Sequence, residues 1–575
     1  MPTLFDKSVR YLAGHAEEIL KHQNEQGEFW PDAGFRTQYN TDYQQFAYYP
    51  LAWLYTLDHP ENQWKEDPRL LTGVERSFKN NLRILTDTGA FIGSSHDAAP
   101  HAWPNNWRSF TWLRAWELMR ACIEPALSAT CEAGLRKALI GIHGHAKKET
   151  SQEVHCRNHN VRNHPVWHVL ATLSLARAFD DQARATWAVN EMERICAAQH
   201  PAGIWFEHDG PVAVYQHVTM SGLAHYHALT GSPAAAEALN RALGFYRIFT
   251  YPSGYPIETL DGRVRYTGYV MSIVPATWGR SADGRAYLHF ILDRLLKQPL
   301  GPCYQTHGGW LGLPFFTQFA RDLSLPEYKE ESSGAAVSPI SGDGVHAVPN
   351  LPVRVIRKGP WTATLSGFTR PETPKNRWEL DYQAHVSIFH EHCGLIVGGG
   401  GGKRQAALSL FTGGSRPLGL PCLAQRGEVE TIGAESVRLR LQYPDFAATI
   451  EVHVENDARL RLSARVHDCK PSAGSVFLQL PFPMKGDGPI VTAAGARLEM
   501  DLQDELLPEE IGAWIGREGK FRIGGVGGGR ALIHFLPFNT HWRDGRAPAE
   551  KAMAIVALPL EVNSTRTVIF EPDGA

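Results

Sequence analysis

Long apolar runs are missing from this chain of 575 residues: none approaches the roughly 18 needed to cross a bilayer, which argues against a membrane-spanning helix. A basic excess is missing as well. Lys and Arg number 57 against 60 Asp and Glu, a net charge of −3, so neither nucleic acid nor an anionic lipid surface is drawn to the chain at large. A polyanionic ligand has to be met by local groups. Cysteines in C-x-x-C spacing are absent too; the eight present (Cys122, Cys131, Cys156, Cys196, Cys303, Cys393, Cys422 and Cys469) are scattered and read as mostly buried thiols. The opening MPTLFDKSVRYLAGHAEEIL lacks the apolar segment of a secretory signal and reads as an amphipathic helix, so the expected location is cytoplasmic, or periplasmic or secreted if a signal was removed. Charged residues at 20% and hydrophobic ones at 43% exclude a disordered chain.

The length implies at least two domains. Up to residue 325 the apolar positions follow a helical period, with helices predicted over 6–22, 43–57, 69–84, 107–122, 126–146, 165–179, 181–199, 211–229, 232–247 and 283–297. Val169, Thr172, Leu173 and Ala176 read as one buried stripe. Short turns make antiparallel pairs, which fit a bundle, a solenoid or a closed toroid equally well. Residues 326–350 loosen into a Ser, Gly and Pro-rich linker, and from 351 to 575 the period falls to two. Val437, Leu439 and Leu441, then Ala448, Ile450, Val452 and Val454, then Leu460, Leu462, Ala464 and Val466 alternate as half-buried antiparallel strands. Turns are predicted at Pro444-Asp445 and Asn456-Asp457, and the whole segment reads as a β-sandwich.

Aromatics at 10% and 26 histidines suit flat platforms beside titratable donors. Asn158, His159, Asn163 and His164 crowd ahead of a helix whose first turn holds Pro165, and helix-start N–H groups with amide and imidazole donors make a site for a carboxylate. Glu207, His208, Asp209, Tyr215 and His217 precede or open another helix, with Tyr215 in its first turn and Tyr226 in the core. Trp107 and Arg108 at a helix start are cleft candidates, whereas Trp112 and Trp116 share one face and read as core; Arg263, Arg265 and Tyr266 look loop-borne. Asp381, His385, His390 and His392 gather on the sandwich, where His390-x-His392 places two imidazoles on one strand face as a possible structural metal site. The run VGGGGGKR at 397–404 fails as a phosphate loop: Val397 stands at the first Gly position and Arg404 replaces Ser or Thr.

Three segments, RSFTWLRAWELM at 108–119, NHPVWHVLATLSLARAF at 163–179 and FEHDGPVAVY at 206–215, resemble the heparinase II/III-like and alginate-lyase-like polysaccharide lyases, as does the interval from His164 to Tyr215. The spacer from Glu207 to Tyr215 is longer than the usual pattern, the Asn-His pair is duplicated at Asn158-His159, and the sandwich lacks a clear His-x-His-x-x-Asp order. The resemblance implies an incomplete (α/α) toroid followed by an antiparallel β-sandwich, and β-elimination on a uronate-containing glycan. It assigns Asn163, His164, Tyr215 and His385 to catalysis and Trp107, Arg108, Asn158, His159, Glu207, His208 and Arg263 to substrate binding, with an acidic glycan as partner and no required cofactor. A glycoside hydrolase, with Asp42, Glu207, Asp209 and Glu258 as candidate carboxyls, a uronate C5-epimerase and a glycan-binding surface protein are the alternatives.

Overall fold

The computed structural model describes residues 3–29, 45–93, 101–207, 210–260, 276–296, 313–325, 338–370, 385–398, 408–414, 423–498, 505–536 and 552–573. It forms two compact units: residues 1–210, 215–243 and 271–339, and residues 211–214, 244–270 and 340–575. No helix among the described residues is long and apolar enough to cross a membrane.

The helices, in chain order, are α1 (Leu4–Gly14), α2 (Ala16–Lys21), α3 (Tyr48–Thr56), α4 (Pro68–Ile84), α5 (Asn106–Met119), α6 (Pro125–Thr150), α7 (Asn163–Ala178), α8 (Gln182–Ala197), α9 (Ala213–Thr230), α10 (Pro233–Ile248), α11 (Ala282–Leu295) and α12 (Leu313–Leu323). Several begin where a short polar side chain accepts an otherwise unpaired first-turn N–H: Thr3 for α1, Asp67 with Pro68 behind it for α4, Asn105 for α5, Asp181 for α8 and Ser281 for α11. Helix α12 escaped the periodicity reading. The expected single stripe on α7 is also corrected, because the helix is buried on nearly every face, packed against α5, α6 and α8.

One turn recurs. Asn24, Thr86, His200 and Tyr251 each donate their N–H to the carbonyl four residues on, and each accepts from Gly27, Gly89, Gly203 and Gly254 respectively, over 2.7–3.1 Å. Those glycines have φ of 81°, 77°, 87° and 87°, the left-handed closure of a tight hairpin loop. Three of them also lie against a later helix: a Cβ on Gly27, Gly89 or Gly203 would stand 2.3, 2.2 and 2.3 Å from the backbone carbonyls of Arg76 in α4, Lys137 in α6 and Arg241 in α10. Only a hydrogen fits, so the turn after α2 seats on α4, the turn after α4 on α6, and the turn after α8 on α10. The residue two places beyond each of the three glycines, Phe29, Phe91 and Trp205, is buried.

A short hairpin, β1 (Phe91–Gly93) with β2 (His101–Trp103), leads into α5. In the second unit β3 (Gly344–Ala347), β4 (Val353–Lys358), β5 (Trp361–Ser366), β6 (Val386–His390) and β7 (Gly394–Val397) form an antiparallel meander in chain order. Strand β3 falls inside the stretch expected to be linker. The following strands are β8 (Phe411–Gly414), β9 (Arg426–Gly433), β10 (Ser436–Gln442), β11 (Ala447–Asn456), β12 (Arg459–His467), β13 (Ser475–Pro483), β14 (Ile490–Thr492), β15 (Arg497–Leu498), β16 (Glu505–Leu506), β17 (Trp514–Arg517), β18 (Phe521–Gly524), β19 (Arg530–Phe535), β20 (Met553–Leu560) and β21 (Thr565–Pro572). They pair antiparallel as a nine-stranded sheet, β15-β14-β17-β18-β21-β12-β11-β10-β9, and a five-stranded one, β16-β19-β20-β13-β8. The alternation predicted for β10 to β12 is met: Val437 pairs with Val452 and Val452 with Leu462, and every apolar member of the three series is buried in the core shared by the sheets.

Candidate functional site

Helix α7 starts two residues earlier than predicted, with Asn163 and His164 inside its first turn. Pro165 follows them there and has no N–H to leave unpaired. Arg162 at the cap is extended (φ −74°, ψ 148°) and supplies no side-chain hydrogen bond, so the first-turn donors are left for another acceptor. Asn163 is 4% exposed and its Oδ1 has no hydrogen-bond partner. His164 is half-buried, edge-on to Trp107 at 4.7 Å, 6.2 Å from the half-buried Trp103, and stacked at 6.3 Å on His168 one turn on. Asn106 ties this turn to α5 by donating its Nδ2 to the His164 carbonyl at 3.0 Å while its Oδ1 accepts from Trp107 N at 2.8 Å. The sequence reading missed Asn106, since an Asn beside an N-cap Asn looks like part of the cap.

Trp107 and Arg108, the cleft candidates at this helix start, are both buried. Arg108 donates to Asn81 Oδ1 at 2.7 Å, Asn81 donates to the Tyr48 hydroxyl at 3.2 Å, and the guanidinium lies 5.6 Å from the ring centres of both Phe46 and Phe91. Burial raises the Tyr48 hydroxyl pKa in spite of that neighbouring cation. Trp103 is the more accessible of the two tryptophans facing His164.

Asn158 and His159 belong to a 3₁₀ turn with Cys156, Asn158 and His159 at φ 60°, 49° and 65°, a run of left-handed backbone costly for side chains with a Cβ. Asn158 is exposed, and the His159 ring donates from Nδ1 to the Ala198 carbonyl at 3.1 Å and lies 4.8 Å edge-on to His200. The turn holds a strand-like segment: Phe206 N donates to His159 O, and Val161 N to Phe206 O, both at 2.7 Å. That segment is in turn tethered to α9, because Gln216 accepts from Trp205 N at 2.9 Å and returns its Nε2 to Trp205 O. Glu207 is buried beside it, with its N–H on Gly210 O at 2.8 Å. Tyr215 is the third residue of α9. Its side chain lies outside the described residues, as do Asp42, His208, Asp209, Arg263, Arg265, Tyr266 and Asp381. Tyr226 is core as expected, its hydroxyl donating to Glu193 at 2.5 Å.

Two polar clusters in the helical unit, one buried and one partly buried, were not foreseen. Arg321 of α12 donates to Thr111 at 3.2 Å and stands 4.7 Å over the Trp167 ring; burial pushes it down to about 10. Its neighbour Asp322 accepts from Ser221 at 3.0 Å and lies 3.4 Å from His225 Nε2. In the other cluster Glu149 of α6 meets His168 of α7 and His145 one turn back on α6, at 2.7 and 3.7 Å. Burial alone would raise the Glu149 carboxyl, and the attraction of His145, His168 and His164 outweighs it and holds the group well below the usual carboxylate range.

In the second unit His385 is buried with its Nδ1 donating to Ser366 O at 2.8 Å, and burial pushes it down to about 4. The strand face expected to carry both His390 and His392 stops at His390, with the two rings 5.5 Å apart. Strand β6 ends at His390, residues 391–393 turn, and His390 Nδ1 accepts from the His392 N–H at 3.3 Å. A neighbouring cluster joins Tyr251, whose hydroxyl donates to Glu258 at 3.0 Å, pairs with Ser387 Oγ, and whose ring stacks on Phe389 at 4.6 Å. Of the described cysteines, Cys131 and Cys196 are buried, Cys122 is exposed and the rest are half-buried; Cys303 and Cys422 lie outside the described residues.

No known family's model and no curated protein matches the chain. Solved structures do. The chondroitin AC lyase of Streptomyces coelicolor A3, solved with chondroitin sulphate, superposes with a TM-score of 0.55 at 13% identity over 99% of this chain and 80% of its own. A heparinase III with methylated lysines gives 0.50 at 11% identity over 98% and 84%. The architecture is thus that of lyases with an (α/α) toroid followed by an antiparallel β-sandwich.

Proposed function

We propose that the chain is a lyase that cleaves a uronate-containing poly- or oligosaccharide by β-elimination. The observation that carries this reading is the start of α7: a helix terminus with no side-chain cap, bearing buried Asn163, whose Nδ2 is a donor, and half-buried His164 beside Trp103 and Trp107. Such a group of donors suits a carboxylate that gains charge as a reaction proceeds. The fold shared with chondroitin and heparin lyases is in keeping with it.

In this mechanism Asn163 Nδ2, the His164 imidazole and the first-turn N–H groups receive the uronate carboxylate. The C5 proton becomes acidic as its electron pair spreads onto that carboxylate, and donors fixed in place favour the resulting enediolate over the ground state. Tyr215 takes the C5 proton. The electron pair then forms the C4–C5 double bond, the C4–O bond breaks, and the leaving oxygen takes a proton. A Tyr215 on the same face of the sugar supplies it. A free phenol has a pKa near 10, so Tyr215 needs a neighbouring positive charge or imidazole to act as base, and His208, His217 or His164 is assigned to that task.

Incubation of the purified chain with alginate, glucuronan, ulvan, heparan and chondroitin, read by the ultraviolet absorbance of the unsaturated product, tests the reading. Cleavage with water added and no new absorbance indicates a hydrolase, inversion at C5 without cleavage an epimerase, and either result overturns the lyase assignment.

A further inference from the structure

We infer that His145, Glu149 and His168 form a binding site for one divalent transition-metal ion of the zinc class in the helical unit. The donor atoms of the three side chains all lie within 4.8 Å of one another. Two come from one face of α6, at i and i+4, and the third from α7, which packs against it. Imidazole nitrogens and a carboxylate are the ligand types that zinc takes, and three protein ligands leave a fourth position for water or another oxygen.

The orientation of His168 is the strongest argument. Its Nε2 lies 3.1 Å from the Pro104 carbonyl, which can only accept, so Nε2 carries a proton and, in the neutral ring that binds a metal, the lone pair is on Nδ1, the atom facing Glu149. A metal-binding histidine is held in this way, by a backbone carbonyl on its second nitrogen. Asn106 Nδ2, which donates one N–H to His164 O at 3.0 Å, holds its second 3.4 Å from His168 Nδ1, a long contact that only an Nδ1 lone pair can accept. Nδ1 and Glu149 Oε2 stand 2.7 Å apart, an approach held by the ion pair while His168 is protonated and, in its neutral form, open to a metal ion shared by the two atoms.

A zinc ion about 2.0–2.1 Å from both atoms would bridge that gap from about 50° off the Nδ1–Oε2 line. Ligands of a tetrahedral zinc stand about 3.3 Å apart, and the observed 2.7 and 3.7 Å bracket that value. His164 stacks on His168 at 6.3 Å, so the ion would also add positive charge behind the proposed carboxylate site.

The site stands without the lyase assignment, because its test needs no substrate. The full chain is expressed with zinc supplied, its metal content measured by plasma mass spectrometry, and chelator-treated protein titrated with Zn²⁺ by calorimetry and with Co²⁺ by visible absorbance. Expected are about one zinc per chain, tetrahedral Co²⁺ bands, and a Tm that falls on chelation and recovers with Zn²⁺. Glu149→Gln and His168→Asn should each weaken Zn²⁺ binding by at least roughly 10–100-fold, the loss seen for removing even an outer-shell partner. His392→Ala should leave uptake unchanged. Chelator-treated wild-type protein that takes up neither ion at micromolar concentration overturns the site, as do unchanged affinities in folded Glu149→Gln and His168→Asn.

Discussion

Replacing Asn163 by Ala should make the protein a poorer catalyst without making it less stable. The buried Oδ1 has no partner, and an unsatisfied polar atom costs about 1–3 kcal/mol. Ala removes that atom and is the better helix former, by up to about 0.7 kcal/mol. Against this stands the packing lost with the carboxamide, so the net change is expected between zero and about 2 kcal/mol of stabilisation, a rise in Tm of at most about 4 °C for a unit of this size. Turnover should fall about 10²–10³-fold, the effect of deleting one donor to a developing oxyanion, which corresponds to about 2.7–4 kcal/mol. Asn163→Asp separates the two effects further: a carboxylate in the first helical turn suits the helix dipole yet repels a uronate. Calorimetry and turnover on the same preparations decide the matter. A variant that loses more than about 1 kcal/mol of stability while keeping activity within tenfold of wild type would show Asn163 to be structural.

Tyr215→Phe keeps the ring and removes the proton-transfer group, so formation of the unsaturated product should fall at least about 10²–10⁴-fold with oligosaccharide binding retained; near-normal turnover would move the base to His208 or His217. Acid should destabilise the fold in a defined window. Burial pushes His155, His200 and His385 down to about 4, so between that value and their unfolded pKa of about 6.5 the unfolded chain binds protons the native one does not. Stability is then complete above about pH 6.5 and lost on descent to about pH 4, by up to about 3 kcal/mol for each group. Equal denaturant midpoints at pH 7 and pH 4.5 would refute it, and His385→Gln should be less acid-sensitive than wild type. Gly89→Ala, at φ 77° and with a Cβ 2.2 Å from Lys137 O, should cost at least about 2 kcal/mol. Gly144→Ala, on α6 with nothing within 4 Å, should stabilise by about 0.5–1 kcal/mol, and thermal melts compare the two.

The strands around Val437, Ile450 and Leu462 were legible because one face of each meets a core and the other meets solvent, which writes a period of two into the sequence. Helix α7 was legible as a helix and misread as amphipathic, since a helix enclosed by neighbours has no polar face to betray its orientation. Its start was placed late because Pro165 is as acceptable in the middle of the first turn as at its beginning. The pair His145 and Glu149 is visible at i and i+4, but His168 reaches it only through the packing of α6 on α7, which no local pattern records. At His390 and His392 the local pattern misled. Alternation predicts a shared face only while the strand continues, and β6 stops at the first of them.

The glycine turns divide three connections of the helical unit, α2 to α3, α4 to α5 and α8 to α9, into two parts. The part up to Gly27, Gly89 or Gly203 is locked to a later helix through a contact that admits no side chain. The part beyond it, from Gly27 to Tyr48, Gly89 to Asn106 and Gly203 to Ala213, differs in length at every occurrence and ends in the first turns of α3, α5 and α9. Trp103, Asn106, Glu207 and Tyr215 all belong to this second part or to the turn that follows it. Changes of sequence there that spare buried Phe91 and Trp205 and the Asn105 cap leave the glycine contacts untouched. If the proposed function holds, a library confined to residues 92–104 and 207–212 should alter which glycan is accepted with less loss of folding than an equal number of changes placed within the helices.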